Sequence, residues 1–141
     1  MFQIFTDEET DVSFVRFTGP VKGAETQRAV TATALRSGGK VRRILLDYRE
    51  VTEMDLTESD GAMASFNAQR LRDTGVNLAE LRMSWVTDPD NTSVNAMLAQ
   101  RIQRTASHRM RVGMDGFDSA ERSLDEALQI LGLSSNFVLP Y

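Results

Sequence analysis

The chain has 141 residues, 41% of them hydrophobic and 26% charged, with a formal net charge of -4 and no cysteine. That length suits one domain with a single continuous core, and the composition is that of a globular protein rather than a disordered one. The mild acidity argues against a nucleic-acid module held by a broad basic surface, and the missing thiols remove disulfides and thiolate metal sites.

Phe2 to Thr6 alternates, and Asp7-Glu8-Glu9-Thr10-Asp11 is a polar turn. Val12 to Thr18 carries apolar residues on both faces, as a strand inside a sheet does, so the pair reads as a hairpin. Gly19-Pro20 breaks the second strand. Val21 to Arg36 follows as a helix with a weak stripe of Val21, Ala24, Ala29, Val30 and Ala34, stopped at Gly38 or Gly39. Val41 to Asp47 holds the run Ile44-Leu45-Leu46, the pattern of a buried parallel strand, and leads into a loop that reaches Asp55.

Thr57 with Asp60 makes a capping-box-like pair, and Glu58 and Asp60 put negative charge in the first turn. Ala62, Met63, Phe66 and Leu71 form the buried side of that helix up to Asp73, and Gly75 closes it. Leu81 to Thr87 is a strand ended by Asp88-Pro89-Asp90-Asn91. A helix from Thr92 to about Ala106 then aligns Val94, Met97, Leu98, Ile102 and Thr105. His108 to Met114 alternates as a further strand. Asp118-Ser119-Ala120-Glu121 is a capping box opening a helix with Leu124, Ala127, Leu128 and Leu131 inward. The tail Ser134 to Tyr141 ends in Phe137-Val138-Leu139-Pro140-Tyr141. The order ββαβαβαβα predicts a single α/β domain over residues 1–141, with a four- to five-stranded mixed sheet and about four helices.

This order and the central segment resemble the STAS domain (sulfate transporter and anti-sigma factor antagonist), in its SpoIIAA-like branch of small standalone bacterial proteins. Ile44-Leu45-Leu46-Asp47 is similar to that family's central strand, and Val51-Thr52-Glu53-Met54-Asp55 to the loop before its second helix. Val86-Thr87-Asp88, Phe117-Asp118-Ser119 and Ala127-Leu128 also look SpoIIAA-like. In anti-sigma factor antagonists that loop ends in Asp-Ser-Ser-Gly, whose second Ser is phosphorylated. Here Asp55, Leu56, Thr57 and Glu58 occupy those positions, so the acid and one hydroxyl are kept while the first Ser and the Gly are lost. The resemblance implies a non-enzymatic binding or regulatory module, with Thr57 as phospho-acceptor. Glu58 would sit beside a phosphate already carrying about -1.5 to -2 charges.

Two loops are the candidate binding surfaces. The first is Asp55, Thr57, Glu58 and Ser59. The second is Asp88, Asp90, Asn91 and Thr92, at the carboxyl end of a strand and the start of a helix, where open α/β sheets hold ligands. Each has a plain structural reading beside the functional one: Thr57 caps a helix, and Asp55 satisfies loop amides. His108, the sole histidine, lies near Arg109 and Arg111, which disfavour its charged form, and no catalytic arrangement surrounds it. With one histidine and no cysteine, no metal or cofactor is expected. The Asp7–Asp11 turn lacks a calcium loop's ligand spacing and glycine. Arg42, Arg43, Arg101, Arg104, Arg109 and Arg111 read as solvated faces before a basic edge.

The implied partner is a protein or a small ligand. One alternative is a lipid or small apolar-molecule carrier, with Met54, Met63, Phe66, Met83, Trp85, Met97 and Met114 lining a cavity or, as readily, a core. A small hydrolase-like enzyme needs a polar pocket converging on Asp55, Thr57 or His108. The apolar tail packs on its own domain or joins two copies as a homo-dimer. No apolar run nears the roughly 20 residues of a transmembrane helix, and the first residues lack a secretory leader's basic and apolar regions, so a cytoplasmic location is expected.

Overall fold

The opening hairpin forms as its alternation predicts. Strand β1 (Phe2–Asp7) pairs antiparallel with β2 (Val12–Lys22), in a register running from Phe2 opposite Phe17 to Asp7 opposite Val12. Its turn is tied by the Asp7 carboxylate, which accepts from the Glu9 amide at 3.0 Å and the Thr10 hydroxyl at 2.9 Å. The structure is a computed structural model describing residues 1–36, 42–55, 69–75, 82–107 and 122–141, with the backbone alone described over 101–107.

Helix α1 (Gly23–Arg36) leads to β3 (Arg43–Asp55), which lies parallel to β2. Helical residues 69–73 (α2) precede β4 (Arg82–Val86), which is parallel to β3. Helices α3 (Thr92–Ser107) and α4 (Leu124–Ile130) follow. The described sheet is mixed and four-stranded, in the order β1-β2-β3-β4, and the fold is α/β. Both of its faces are covered. On one, Val15, Phe17, Ile44, Leu46, Tyr48 and Trp85 pack with α1 (Ala29, Val30) and α3 (Val94, Leu98). On the other, Val12, Phe14, Leu45 and Val86 pack with Ala127 of α4, with its C-cap Leu131 and with Phe137, Leu139 and Tyr141 of the tail. Burial on both sides explains why β2 and β3 read as near-continuous apolar runs.

Three expectations are corrected. Gly19-Pro20 does not end β2: the strand continues to Lys22, and the irregularity is absorbed as a bulge, with Gly19 at φ +68°. Val21 therefore belongs to β2 rather than to α1, which starts at Gly23. The segment after Asp47 is strand, not loop. Between Arg16/Thr18 and between Gly19/Pro20, β2 is opposed by one extra residue of β3, so the buried positions fall at Leu46, Tyr48, Val51 and Met54. Two inserted residues turn a spacing of two into a spacing of three, which hides the strand from a period-two reading.

The third correction concerns α4, which starts at Leu124. Its cap is Ser123, whose hydroxyl accepts from the Glu126 amide at 3.2 Å and donates to the Glu126 carboxylate at 3.1 Å. Gly75 does close α2, at φ +87° with its amide on the Arg72 carbonyl. Leu71 is buried against Ala34 and Leu35. The Gly38–Gly39 stop, Thr57 to Phe66, His108 to Met114 and Asp118–Glu121 lie outside the described residues.

Candidate functional site

Asp47 ends the apolar run of β3, and its side chain is almost wholly buried on the α4 side of the sheet. A buried carboxylate must be paired and hydrogen-bonded. Arg49 does both: its Nε donates to Oδ1 at 3.0 Å, its Nη2 to Oδ2 at 2.7 Å, and its backbone amide to Oδ1 at 3.1 Å. The Tyr141 hydroxyl adds a fourth bond, donating to Oδ2 at 2.9 Å.

Neighbouring strand β2 contributes Arg16, which lies opposite Asp47 in the register. Arg16 reaches the Glu50 carboxylate at 2.6 Å and stands 5.1 Å from the centre of the Tyr141 ring. The bulge at this point in β3 brings both Arg49 and Glu50 to the rim. Arg16, Asp47, Arg49, Glu50 and Tyr141 line an open pocket of about 290 Å³.

The charges in this pocket answer one another. Hydrogen bonding to Asp47 holds the Arg49 guanidinium in its charged form, above its ordinary pKa, and the bond to Glu50 does the same for Arg16. Burial pushes the Tyr141 phenol well up, as do the charge and hydrogen bond of Asp47, while Arg49 and Arg16 act against the rise. The phenol therefore stays protonated and donating. Two ion pairs and a protonated phenol suit a structural latch or a recognition surface better than a general base or nucleophile.

The described residues of the two loops drawn from the sequence fall elsewhere, at the carboxyl end of the parallel strands. Asp55 is the last residue of β3, exposed and opposite Lys22 in the register. Thr57, Glu58 and Ser59 lie outside the described residues. Asp88, Asp90, Asn91 and Thr92 follow β4. Asn91 caps α3, with its Oδ1 accepting from the Val94 amide at 3.2 Å, and its Nδ2 donates to the Val51 carbonyl at 3.0 Å. Asp88 accepts from the Asp90 amide at 2.9 Å, and its carbonyl accepts from Asn95 Nδ2 at 2.9 Å. Asp90 and Thr92 are exposed. The Asn91–Val51 bond thus ties the second loop to the strand that ends in Asp55.

Other candidates resolve into packing. Arg43 bonds the carbonyls of Leu131 and Thr10, joining α4 to the hairpin turn. Met54, Met83 and Trp85 are core residues on the α1–α3 face, with Met97 packed beside them. Met63, Phe66, Met114, His108 and the side chains of Arg101, Arg104, Arg109 and Arg111 lie outside the described residues. Arg122 is nearly buried, stacked 3.7 Å from the Trp85 ring centre and bonded to Ser84 at 3.1 Å, and burial lowers its pKa. Among the described residues, no helix is long and apolar enough to cross a membrane.

Sequence reasoning assigned no role to Asp47 or Tyr141. The signal for Asp47 was available: an acid closing a buried run requires a partner, and Arg49 lies two residues on. Nothing local announced Tyr141, which is 94 residues away.

No family model matches the chain, and no curated protein matches it. Several solved structures match it, two of them as follows. The unphosphorylated form of the anti-sigma factor antagonist SpoIIAA is 18% identical with a TM-score of 0.39, covering 75% of this chain and 98% of its own. A structure described as Mglu is 21% identical with a TM-score of 0.36, covering 62% of this chain and 20% of its own.

Proposed function

We propose that the chain is a STAS-like regulatory module that docks a protein partner at the carboxyl end of its parallel strands, without catalysing a reaction. The observation that carries this reading is the Asn91–Val51 hydrogen bond, which brings the Asp88–Thr92 loop to the strand ending in Asp55. Glu53, Asp55 and Asp90 are exposed on that edge and Asp88 is half-buried; these acids outnumber the exposed Lys22 opposite Asp55, so a partner with a basic face fits best. The sequence resemblance to the STAS domain supports the same class of function. The paired ions of the Asp47 pocket also favour a module over an enzyme.

Thr57 would then act on this edge. A phosphate there adds about -1.5 to -2 charges beside Asp55 and Glu58, strengthening or breaking a docking contact by local electrostatics. Labelling of the chain by a partner kinase, mapped to Thr57 and lost in Thr57→Val, checks this; a labelled Thr57→Val chain rejects it.

The docking surface is tested by placing a photoreactive amino acid in place of Asp90 or, at the opposite end of the strands, in place of Glu9. A discrete protein adduct from position 90 and none from position 9 is expected in cells. An adduct from position 9 alone would move the interface to the hairpin end.

A further inference from the structure

We infer that residues 134–141 form a releasable strap over the α4 side of the sheet, with Tyr141 as its latch. This inference is independent of where a partner docks.

The strap is attached by side chains. Phe137 stacks on Phe14 with ring centres 5.5 Å apart, Tyr141 meets Phe5 at 5.0 Å, and Leu139 packs on the same cluster. Val138, 84% exposed, and Pro140 point outward between them. Its backbone takes no part in the sheet. The Phe137 amide bonds the Ser134 carbonyl, the Asn136 amide bonds the Ser134 hydroxyl, and among the described residues no backbone bond ties 138–141 to a strand. The segment departs from α4 through Gly132, at φ +71°, where a side chain would resist the turn.

The latch is built to let go without harm. Of the four hydrogen bonds to Asp47, Arg49 supplies three and Tyr141 one. Asp47 therefore keeps its counter-ion and its bidentate partner when Tyr141 leaves, and no buried charge is stranded. What release uncovers is the apolar strip around Phe14 and Leu45, both fully buried with the strap in place. A segment held by alternate side chains, with the strand pairing complete beneath it, opens well below the free energy of global unfolding.

The chain has two tyrosines, Tyr48 in the α1–α3 core and Tyr141 on the strap, so fluorotyrosine labelling gives one reporter for each behaviour. Under increasing urea, fluorine NMR of the full chain should move the Tyr141 resonance to its solvent position at lower urea than Tyr48. Asp47→Asn should raise the open fraction at Tyr141 about fivefold at a urea concentration that leaves Tyr48 native. Coincident transitions of both tyrosines in the unaltered chain would overturn the strap, since the tail would then be an inseparable part of the core. An open fraction unchanged by Asp47→Asn, with separate transitions, would overturn the latch.

Discussion

At the scale of single residues, the chemistry centres on one buried carboxylate and the partners its neighbours provide. Removing Arg49 leaves Asp47 buried with the Tyr141 hydroxyl as its remaining side-chain partner. Arg49→Ala is expected to cost about 3 kcal/mol in urea-induced unfolding. Arg16→Ala breaks a pair whose two side chains both reach solvent, so the urea midpoint should stay almost unchanged. Tyr141 adds a pH dependence with a definite sign. Its pKa is raised in the folded chain, so its stabilising bond is fully present below about pH 10, where a free phenol ionises. Stability should fall as pH climbs past that value, because the released tail loses its proton first. Asp47 repels the ionised phenol, while Arg49 and Arg16 oppose that effect. Thermal melts of Tyr141→Phe should show a weaker alkaline loss than the unaltered chain; equal losses would remove Tyr141 as the source. Asp47 was legible in the sequence as an acid at the end of an apolar run. Its latch was not, because a contact spanning 94 residues leaves no local pattern.

Elements tell a similar story of clear cores and concealed irregularities. The hairpin, the buried run Ile44-Leu45-Leu46, β4 and the start of α3 at Thr92 all follow from alternation, apolar runs and turn residues. The far half of β3 escaped because two bulges reset its spacing, and Gly19-Pro20 read as a break because proline cannot donate to a ladder. The bulge instead demands a left-handed residue at Gly19. Gly19→Ala should therefore cost about 1–2 kcal/mol by denaturant unfolding, although nothing stands within 4 Å of the added carbon. In α4 the serine-to-glutamate box was present in the sequence at Ser123 and Glu126, five residues beyond the box at Asp118. Ser123→Ala should cost about 1 kcal/mol, read in the same unfolding experiment.

For the whole molecule, the two faces of the sheet have different covers. Two longer helices close one side, whereas a short helix and an extended tail close the other. Of the tail's apolar residues, which the sequence left divided between self-packing and a homo-dimer, Phe137, Leu139 and Tyr141 pack on their own sheet while Val138 is exposed. The bonds at the carboxyl end of the strands hold together an acidic edge, the surface that the proposed docking would use. The measurement closest to this claim is the affinity for the partner captured at position 90, compared between charge reversals at the two ends of the strands. Asp55→Lys with Asp90→Lys should weaken binding at least tenfold, with a shallower salt dependence, while Glu9→Lys leaves it unchanged. Equal affinity for the unaltered chain and the double reversal would contradict docking at this edge.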